Sequence, residues 1–276
     1  MKKLRIAVIV LFLITSVIFG AVFLYDRRNA DRTAPQIVSD GIPLEVSAKA
    51  TDRELCAGLT ATDDRDGDIT DRIIVRRVSH LTGSNSATIN YAVFDSASNY
   101  CTFSRTVYYT DYSKPHFALS RPLSFNVSGE ISLADRLTAS DVIDGDITDR
   151  IRIAASTLSN EQPGEYPISV QVTNRLGDTS IADLTVLIQN VTPRYPVLRL
   201  SDYLIYVAQD SEFSDESLAD YITEARTSVN GKVLKPDDIT IEGSVDTSLV
   251  GSQFIRYSYT NDRDLTYTVI LTVIVE

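Results

Sequence analysis

The sequence predicts an all-β protein, a tandem array of three small β-sandwiches that follow one N-terminal transmembrane helix. The stretch 59–73 recurs at 137–151 with twelve of its fifteen residues identical, so the chain is built of repeated units. Each unit also contains a segment in which apolar and polar residues alternate, as in 89–93, which is typical of a strand with one buried face. Outside the N-terminal helix, only 217–221 has a helical pattern, enough for a single turn.

The N-terminal helix is predicted from 6–25, an apolar run without a charge that follows three basic residues. Twenty such residues are enough to cross a hydrocarbon core of about 30 Å. A cleaved signal peptide is the alternative, although its apolar part usually has only ~7–15 residues. We expect a cytoplasmic tail at 1–5, an anchor at 6–25 and a tether at 26–32. Long domains translocate largely regardless of flanking charge, so we place the N-terminus inside and the remainder outside.

Three units of similar length fill the rest of the chain. Each begins near a proline, at Pro35, Pro115 and Pro193, which are 80 and 78 residues apart. Short strands separated by frequent turn residues are typical of small β-sandwiches. We expect three independent sandwiches with short linkers, and the third is divergent because it lacks the sequence Asp-Gly-Asp. The predicted domains are 33–112, 113–190 and 191–276.

Composition excludes several classes of function. The chain has 26 basic and 37 acidic residues, a net charge of −11, which disfavours a nucleic-acid partner because phosphate binding needs Lys and Arg. It has two histidines and no tryptophan. His80 and His116 have no cysteine or carboxylate at ligand spacing, and no Gly-x-Ser-x-Gly motif occurs. We therefore predict no enzyme, no catalytic residue and no cofactor.

The repeated stretch is rich in aspartate. Its first copy should be a strand that ends in a turn at Asp66-Gly67-Asp68, after which Ile69 and Ile73 return to the core while Thr70 faces solvent. Glycine supplies the backbone freedom of such a turn, and aspartate caps its amides. Calcium is the alternative ligand of these carboxylates, because it binds six to eight oxygens. A glycosidase pair is a third alternative. The carboxylates concerned are Asp63, Asp66, Asp68 and Asp71, and Asp141, Asp144, Asp146 and Asp149.

We favour capping over both alternatives and predict no metal site. The EF-hand pattern fails, since placing Gly67 at its sixth position puts Thr62 first and Ile73 twelfth. Two nearly identical copies in consecutive units are typical of a structural element and not of a catalytic site. The chain also has no tryptophan that could stack against a bound sugar. Whether the loops around Asp66 and Asp144 bind calcium stays open at this point.

The order of these motifs resembles that of the bacterial immunoglobulin-like surface domains, which are also appended to some pesticidal crystal proteins. The matching features are the leading proline, a Leu-Ala-Asp turn, Asp-Gly-Asp-Ile-Thr, a glycine before the alternating strand and a final Asp-x-x-x-Asn. The second unit exchanges the last two types, with Asn174 and Asp178. The third keeps only part of the pattern. The resemblance implies an Ig-like fold on a bacterial surface, and it carries no catalytic residues.

Cys56 and Cys101 are predicted to form a disulfide within the first unit. They are the only two cysteines of the chain. Their counterparts in the second unit are Ala134 and Ser180, so the thiols are present together and absent together. An even pair in an exported domain is normally bonded.

These observations lead to one functional hypothesis and its alternatives. We expect a single-pass plasma-membrane protein whose extracellular Ig-like modules act as a spacer and as an adhesive or envelope-binding module for a protein or glycan. One alternative is an accessory subunit of an envelope or secretion assembly. The other is a carbohydrate-binding accessory of a secreted hydrolase.

Overall fold

The computed structural model confirms the predicted fold class. Tandem β-sandwiches follow one apolar N-terminal helix, and contacts divide the chain into two compact units, 1–110 and 111–276. The structure describes residues 2–82, 85–190, 196–227, 231–262 and 264–276.

Helix α1 (Lys2–Asn29) is longer at both ends than the predicted anchor. Its part Val8–Asn29 has a mean hydropathy of 2.7, so it is long and apolar enough to cross a membrane. A signal sequence would have the same properties, so the helix alone does not fix the topology.

The first sandwich follows α1 in the unit 1–110 and consists of two sheets. One has the order β1-β3-β4 and the other β2-β7-β6-β5. The predicted alternating strand is β6, and its inward side chains Ile89, Tyr91 and Val93 are completely buried. The elements are β1 (Gln36–Ser39), β2 (Leu44–Val46), α2 (Asp52–Leu55), β3 (Leu59–Asp63), β4 (Gly67–Asp68), β5 (Ile74–Val78), β6 (Ser86–Phe94) and β7 (Tyr100–Tyr109), with a 3₁₀ turn at Thr70–Arg72.

The second sandwich repeats this plan within the unit 111–276. Its sheets have the orders β11-β10-β8 and β12-β13-β14-β9. Ile168, Val170 and Val172 of β13 are buried as predicted. The strands are β8 (His116–Leu119), β9 (Ser124–Asn126), β10 (Leu137–Asp141), β11 (Gly145–Asp146), β12 (Arg152–Ser156), β13 (Gly164–Thr173) and β14 (Thr179–Gln189), with a 3₁₀ turn at Thr148–Arg150.

The third sandwich has a smaller first sheet, β15-β17, and a second sheet of order β16-β20-β19-β18. The helical turn predicted near 217–221 is a 3₁₀ helix, Asp215–Tyr221. The strands are β15 (Val197–Leu200), β16 (Leu204–Val207), β17 (Ile222–Arg226), β18 (Thr240–Glu242), β19 (Gly251–Thr260) and β20 (Thr266–Val275), with a second 3₁₀ turn at Pro236–Asp238.

Each sandwich is closed by a parallel pair between a short strand near its start and its last strand. These pairs are β2 with β7, β9 with β14, and β16 with β20. The other pairings in the three larger sheets are antiparallel. The two ends of each repeated unit therefore meet in one sheet.

The expectation of three independent sandwiches is wrong for the second and third. Leu204 and Ile274 belong to the buried core cluster of the second sandwich, although they lie on β16 and β20. Tyr206 accepts a hydrogen bond from the Phe117 backbone N–H at 2.7 Å, and its burial raises its pKa to about 12. Arg256 makes a bidentate ion pair with Glu165, at 2.8 and 2.6 Å. Residues 111–276 therefore pack as one body.

The domain boundaries 33–112, 113–190 and 191–276 remain a proposal, supported by the three pairs of sheets. Pro35 and Pro115 lie just before the first strands of their sandwiches and are buried. The third predicted joint, 192–193, lies outside the described residues.

Two of the sandwiches are centred on a buried tyrosine whose hydroxyl reaches across the core. Tyr91 donates to the Leu55 carbonyl at 2.6 Å, and Tyr257 donates to the Leu218 carbonyl at 2.9 Å. Both rings are completely buried. Their hydroxyls bind carbonyls of the short helical segments that precede β3 and β17, so each tyrosine ties one sheet to the segment that enters the other.

Replacing Tyr257 with phenylalanine should destabilise the 111–276 unit by about 1–2 kcal/mol, because the Leu218 carbonyl loses its buried donor. Tyr259→Phe is the matched control, since Tyr259 lies two residues further along β19 and is only partly buried. Urea unfolding of the full chain in detergent measures both. An equal effect of the two substitutions would show that the hydrogen bond contributes nothing specific.

Candidate functional site

The buried carboxylate at the end of β3 organises the acidic loop of the first sandwich. Asp63 is 9% exposed, and its Oδ1 accepts hydrogen bonds from the backbone N–H groups of Arg65 and Asp66, at 3.0 and 2.9 Å. Gly67 has φ +73°, which lets the chain turn back onto β3. Asp141 makes the same two bonds in the second sandwich, at 2.8 and 2.9 Å, and Gly145 has φ +71°.

Two other aspartates of each loop are held by hydrogen bonds and arginine. Asp66 accepts from the Ser96 backbone and hydroxyl at 2.8 and 2.7 Å and pairs with Arg72 Nη1 at 2.5 Å. The Ser96 hydroxyl, followed by Arg72, lowers the pKa of Asp66. Asp68 accepts from the Thr70 backbone at 2.9 Å, and the Thr70 side chain, followed by this backbone bond, lowers the pKa of Asp68. These contacts are of the kind expected for turn capping, which the sequence favours over calcium binding and over a glycosidase pair.

The second loop repeats this arrangement. Asp144 pairs with Arg150 Nη1 at 2.5 Å and accepts from the Arg175 backbone at 2.7 Å, and Asp146 accepts from the Thr148 backbone at 2.9 Å.

A different carboxylate cluster, which we call the Asp31 cluster, lies at the same end of the first sandwich. It consists of Asp31, Asp63 and Asp95, and one oxygen from each lies within 4.8 Å of the others. Asp31 comes from the segment between α1 and β1, and its side chain is 7% exposed. Asp95 directly follows β6 and is also 7% exposed. Three segments distant in sequence therefore place their carboxylates together.

The hydrogen bonds of the Asp31 cluster leave one oxygen without a partner. Asp95 accepts at both oxygens from Asn99, through its backbone and its amide, each at 2.7 Å. Asp31 Oδ1 accepts from the Thr33 backbone at 2.9 Å, and its Oδ2 lies 3.8 Å from Arg65 Nε. Among the described residues, no donor reaches the buried Oδ2 of Asp63.

The second sandwich fills the same place with an amide. Asn174 stands where Asp95 stands in the first sandwich, and it is 4% exposed. Its Nδ2 donates to Asp141 Oδ2 at 3.1 Å and to Tyr112 Oη at 3.0 Å. Tyr112 donates in turn to Asp178 at 2.6 Å, and burial followed by that carboxylate raises the pKa of the phenol. Both oxygens of Asp141 are thus satisfied, Oδ1 by the two turn amides and Oδ2 by the Asn174 side chain.

The charge balance therefore differs between the two sandwiches. Two carboxylates about 5 Å apart repel each other by on the order of 3 kcal/mol at the effective dielectric constant of a protein. The Asp31 cluster contains three such pairs, and Arg65, which is half exposed, offsets only part of the charge. The arrangement suits a cation, and its Asn174 counterpart does not need one.

Sequence reasoning grouped the carboxylates by their closeness in sequence and so missed Asp31 and Asp95. Asp63 belongs to the Asp31 cluster, whereas the carboxylates of Asp66 and Asp68 accept hydrogen bonds within turns. The exchange of Asp95 for Asn174 at the end of the alternating strand was the signal available in the sequence.

The predicted disulfide between Cys56 and Cys101 is not present, and both cysteines are free thiols. Arg105 Nη2 donates to the carbonyls of Leu55 and Ala57, which flank Cys56, at 2.7 and 2.6 Å. The segment around Cys56 is thus held by Arg105, which lies four residues beyond Cys101 on β7.

Among the described residues, neither histidine contacts a carboxylate of the acidic loops, although His116 pairs with Ser140 across β8 and β10. His116 contacts Glu276 Oε1 at 2.7 Å and packs edge-on against Tyr206, at the contact between the second and third sandwiches. His80 lies two residues beyond the end of β5 and is exposed to solvent.

An apolar cavity of about 320 Å³ lies in the second sandwich. Val170 occupies the position of Tyr91 and Tyr257 on the central strand and lines this cavity together with Leu133, so the smaller side chain leaves space there. The remaining lining residues are Ala134, Leu137, Thr148, Asp149, Ile151 and Ile153. This lining contains no aromatic ring and few polar groups to orient a ligand.

Comparison with known proteins gives a weak relationship. No family model matches the chain. The chain is 24% identical over 241 residues to the pesticidal crystal protein Cry22Aa of Bacillus thuringiensis, which covers 83% of this chain. The match is 31% of Cry22Aa, so the chain spans about a third of that protein's length. This agrees with the resemblance to domains found on pesticidal crystal proteins.

Three solved structures are similar at TM-scores of 0.27 or lower. The CBM51-2 and INT domains of Clostridium perfringens ZmpB, in complex with GlcNAc, match at a TM-score of 0.27 and 16% identity, over 56% of this chain and 26% of that one. The protocadherin GammaB4 extracellular domain matches at 0.22 and 15%, over 88% and 49%. Drosophila N-cadherin EC1-4 matches at 0.22 and 12%, over 88% and 75%.

Replacing Asp141 with alanine should destabilise the 111–276 unit by about 2–4 kcal/mol. Two backbone amides and the Asn174 amide, all buried or partly buried, would lose their acceptor. Asp146→Ala is the control, because Asp146 is exposed and its carboxylate caps Thr148, at an expected cost of about 1 kcal/mol. Urea unfolding of the full chain compares them. Similar losses would contradict the organising role of Asp141.

Proposed function

We propose that the chain is a bacterial surface protein held in the plasma membrane by α1, with its sandwiches outside the cell. The observation that supports this is the apolar span Val8–Asn29 followed directly by tandem β-sandwiches. The weak similarity to Cry22Aa supports assignment of the sandwiches to the bacterial Ig-like surface domains. The protein then acts as a spacer and binding module rather than as an enzyme.

The proposed binding partner is a protein or glycan of the envelope. An exposed aromatic pair on the four-stranded sheet of the first sandwich supports this. Phe94 and Tyr100 are 44% and 60% exposed, and their ring centroids are 5.7 Å apart. Ile74, 49% exposed, lies on the adjacent strand. Aromatic rings in contact with solvent are enriched at binding surfaces, because they bury a large area with little loss of entropy.

The two alternatives propose different partners. An accessory subunit of an envelope assembly would bind another membrane or envelope protein. A carbohydrate-binding accessory of a hydrolase would bind a glycan.

Fractionation of the producing bacterium tests the anchor. We expect the full chain in the membrane fraction, with an intact mass that includes residues 1–25, and we expect added protease to remove the sandwiches from whole cells. A variant lacking residues 1–25 but carrying a cleavable export signal is the control and should be released. A mature wild-type protein that lacks α1 would identify the helix as a signal sequence.

Binding of envelope fractions tests the aromatic pair. Tyr100→Ala in the full chain should reduce capture of the partner at least tenfold, since aromatic anchors commonly contribute 2 kcal/mol or more, about 30-fold, to an interface. Tyr108→Ala is the matched control, because Tyr108 is 43% exposed on the same face of the same strand, eight residues away. Treating the envelope fraction with protease or with glycosidases then separates a protein partner from a glycan. Equal capture by both variants would contradict the assignment of this surface.

A further inference from the structure

The Asp31 cluster has the features of a metal site, and its strongest feature is a buried oxygen without a hydrogen bond. Asp63 is 9% exposed, and no donor among the described residues reaches its Oδ2. A buried carboxylate oxygen without a partner is costly, because the charge has lost its water. One carboxylate oxygen of Asp63 lies within 4.8 Å of oxygens from Asp31 and Asp95. In the second sandwich Asn174 contacts the equivalent Oδ2 of Asp141, so we place Oδ2 of Asp63 on the side of Asp95.

We propose that Asp31, Asp63 and Asp95 bind one calcium ion together. The site is distinct from the Asp66 and Asp68 turns, whose carboxylates are already engaged by backbone amides, by Ser96 and by Arg72.

The second sandwich is an internal control for this proposal. Asp141 accepts two turn amides, as Asp63 does. Asn174 accepts from the backbone N–H four positions later, as Asp95 does. There the Asn174 amide donates to Asp141 Oδ2 at 3.1 Å. In the first sandwich a carboxylate replaces that donor, so a positive group is required from elsewhere.

Calcium fits this donor set better than other common metals. The three ligands are carboxylates, which favours hard cations over zinc or copper. Calcium binds oxygens at about 2.4 Å, so three oxygens within 4.8 Å of one another can share one ion, whereas magnesium is usually held by one or two carboxylates and several waters. Water and backbone carbonyls complete the six to eight positions that calcium fills.

The ion would join the segment after α1 to the first sandwich. Asp31 lies between α1 and β1, whereas Asp63 and Asp95 belong to the ends of β3 and β6. The same segment already contacts the sandwich through Arg65 Nη1, which donates to the Asn29 carbonyl at 2.6 Å, and through the Asn99 amide, which donates to the Asp31 carbonyl at 3.3 Å. Calcium would therefore hold residues 30–35 against the sandwich.

Titration calorimetry on the full chain in detergent, stripped with chelator, tests the site with calcium chloride alone. We expect one calcium ion per chain. If the domain is extracellular as proposed above, the affinity should fall in the range of extracellular modules, with a Kd of about 10⁻⁴ to 10⁻³ M. The stoichiometry does not depend on that location, so failure of the site and failure of the proposed function remain distinguishable.

Two isosteric substitutions separate this site from the acidic turns. Asp95→Asn should weaken calcium binding at least tenfold, since even outer-shell changes have effects of that size. It should still fold, because Asn174 occupies the same cage in the second sandwich. Asp68→Asn removes the same charge from an exposed aspartate nearby and should leave binding unchanged.

Limited trypsin digestion gives a second readout. Cleavage after the exposed Arg32, next to Asp31, should be slower in calcium than in chelator for the wild type and unchanged for Asp95→Asn. Cleavage after the exposed Lys232 in the other unit is the internal control and should not respond. No binding by the wild type, equal binding by Asp95→Asn, or loss of binding in Asp68→Asn would overturn the proposal. Magnesium binding as tight as calcium would overturn the choice of ion.

Discussion

The acidic loops depend on one buried carboxylate at the end of an inward strand. Asp63 and Asp141 each accept two backbone amides, and this fixes a turn in which glycine alone takes a positive φ. The returning chain is then in register: the backbone N–H of Ile69 reaches the Ala61 carbonyl at 3.0 Å, and the Ile69 side chain is 2% exposed. Asp63 therefore stabilises its turn through Oδ1, while its Oδ2 is available as a metal ligand.

The same backbone cage is used with two charge states in neighbouring sandwiches. Asp95 has a carboxylate oxygen where Asn174 has an NH₂ group, and both residues are more than nine-tenths buried. With asparagine, the cage closes on itself through Asp141 and Tyr112. With aspartate, it carries excess negative charge. One substitution in a duplicated unit thus changes a structural element into a candidate site without altering the fold.

The fold was largely predictable because period-2 patterns report directly which side chains are buried. Tyr91 and Tyr257 follow this rule. Local turns were harder to predict. The Thr51-x-x-Glu54 capping box is a sequence signal for the short helix α2. Thr70, expected to face solvent, instead accepts a hydrogen bond from the Ala61 N–H at 3.0 Å. The Asp31 cluster and the two free thiols depend on which distant segments become neighbours, which the spacing of motifs does not report. Arg105 binds the carbonyl of Leu55, beside Cys56, and Asp31 lies close to Asp63 across 32 residues.

The parallel closure of each sandwich has a mechanical consequence. A tensile load between an anchored N-terminus and a bound partner would pull β2 and β7 in opposite directions along their common axis once β1 is released. The slanted, evenly spaced hydrogen bonds of a parallel pair are then strained together, in shear, rather than opened one by one. The pairs β9 with β14 and β16 with β20 have the same parallel geometry. Resistance to stretching is therefore built into the ends of every repeat.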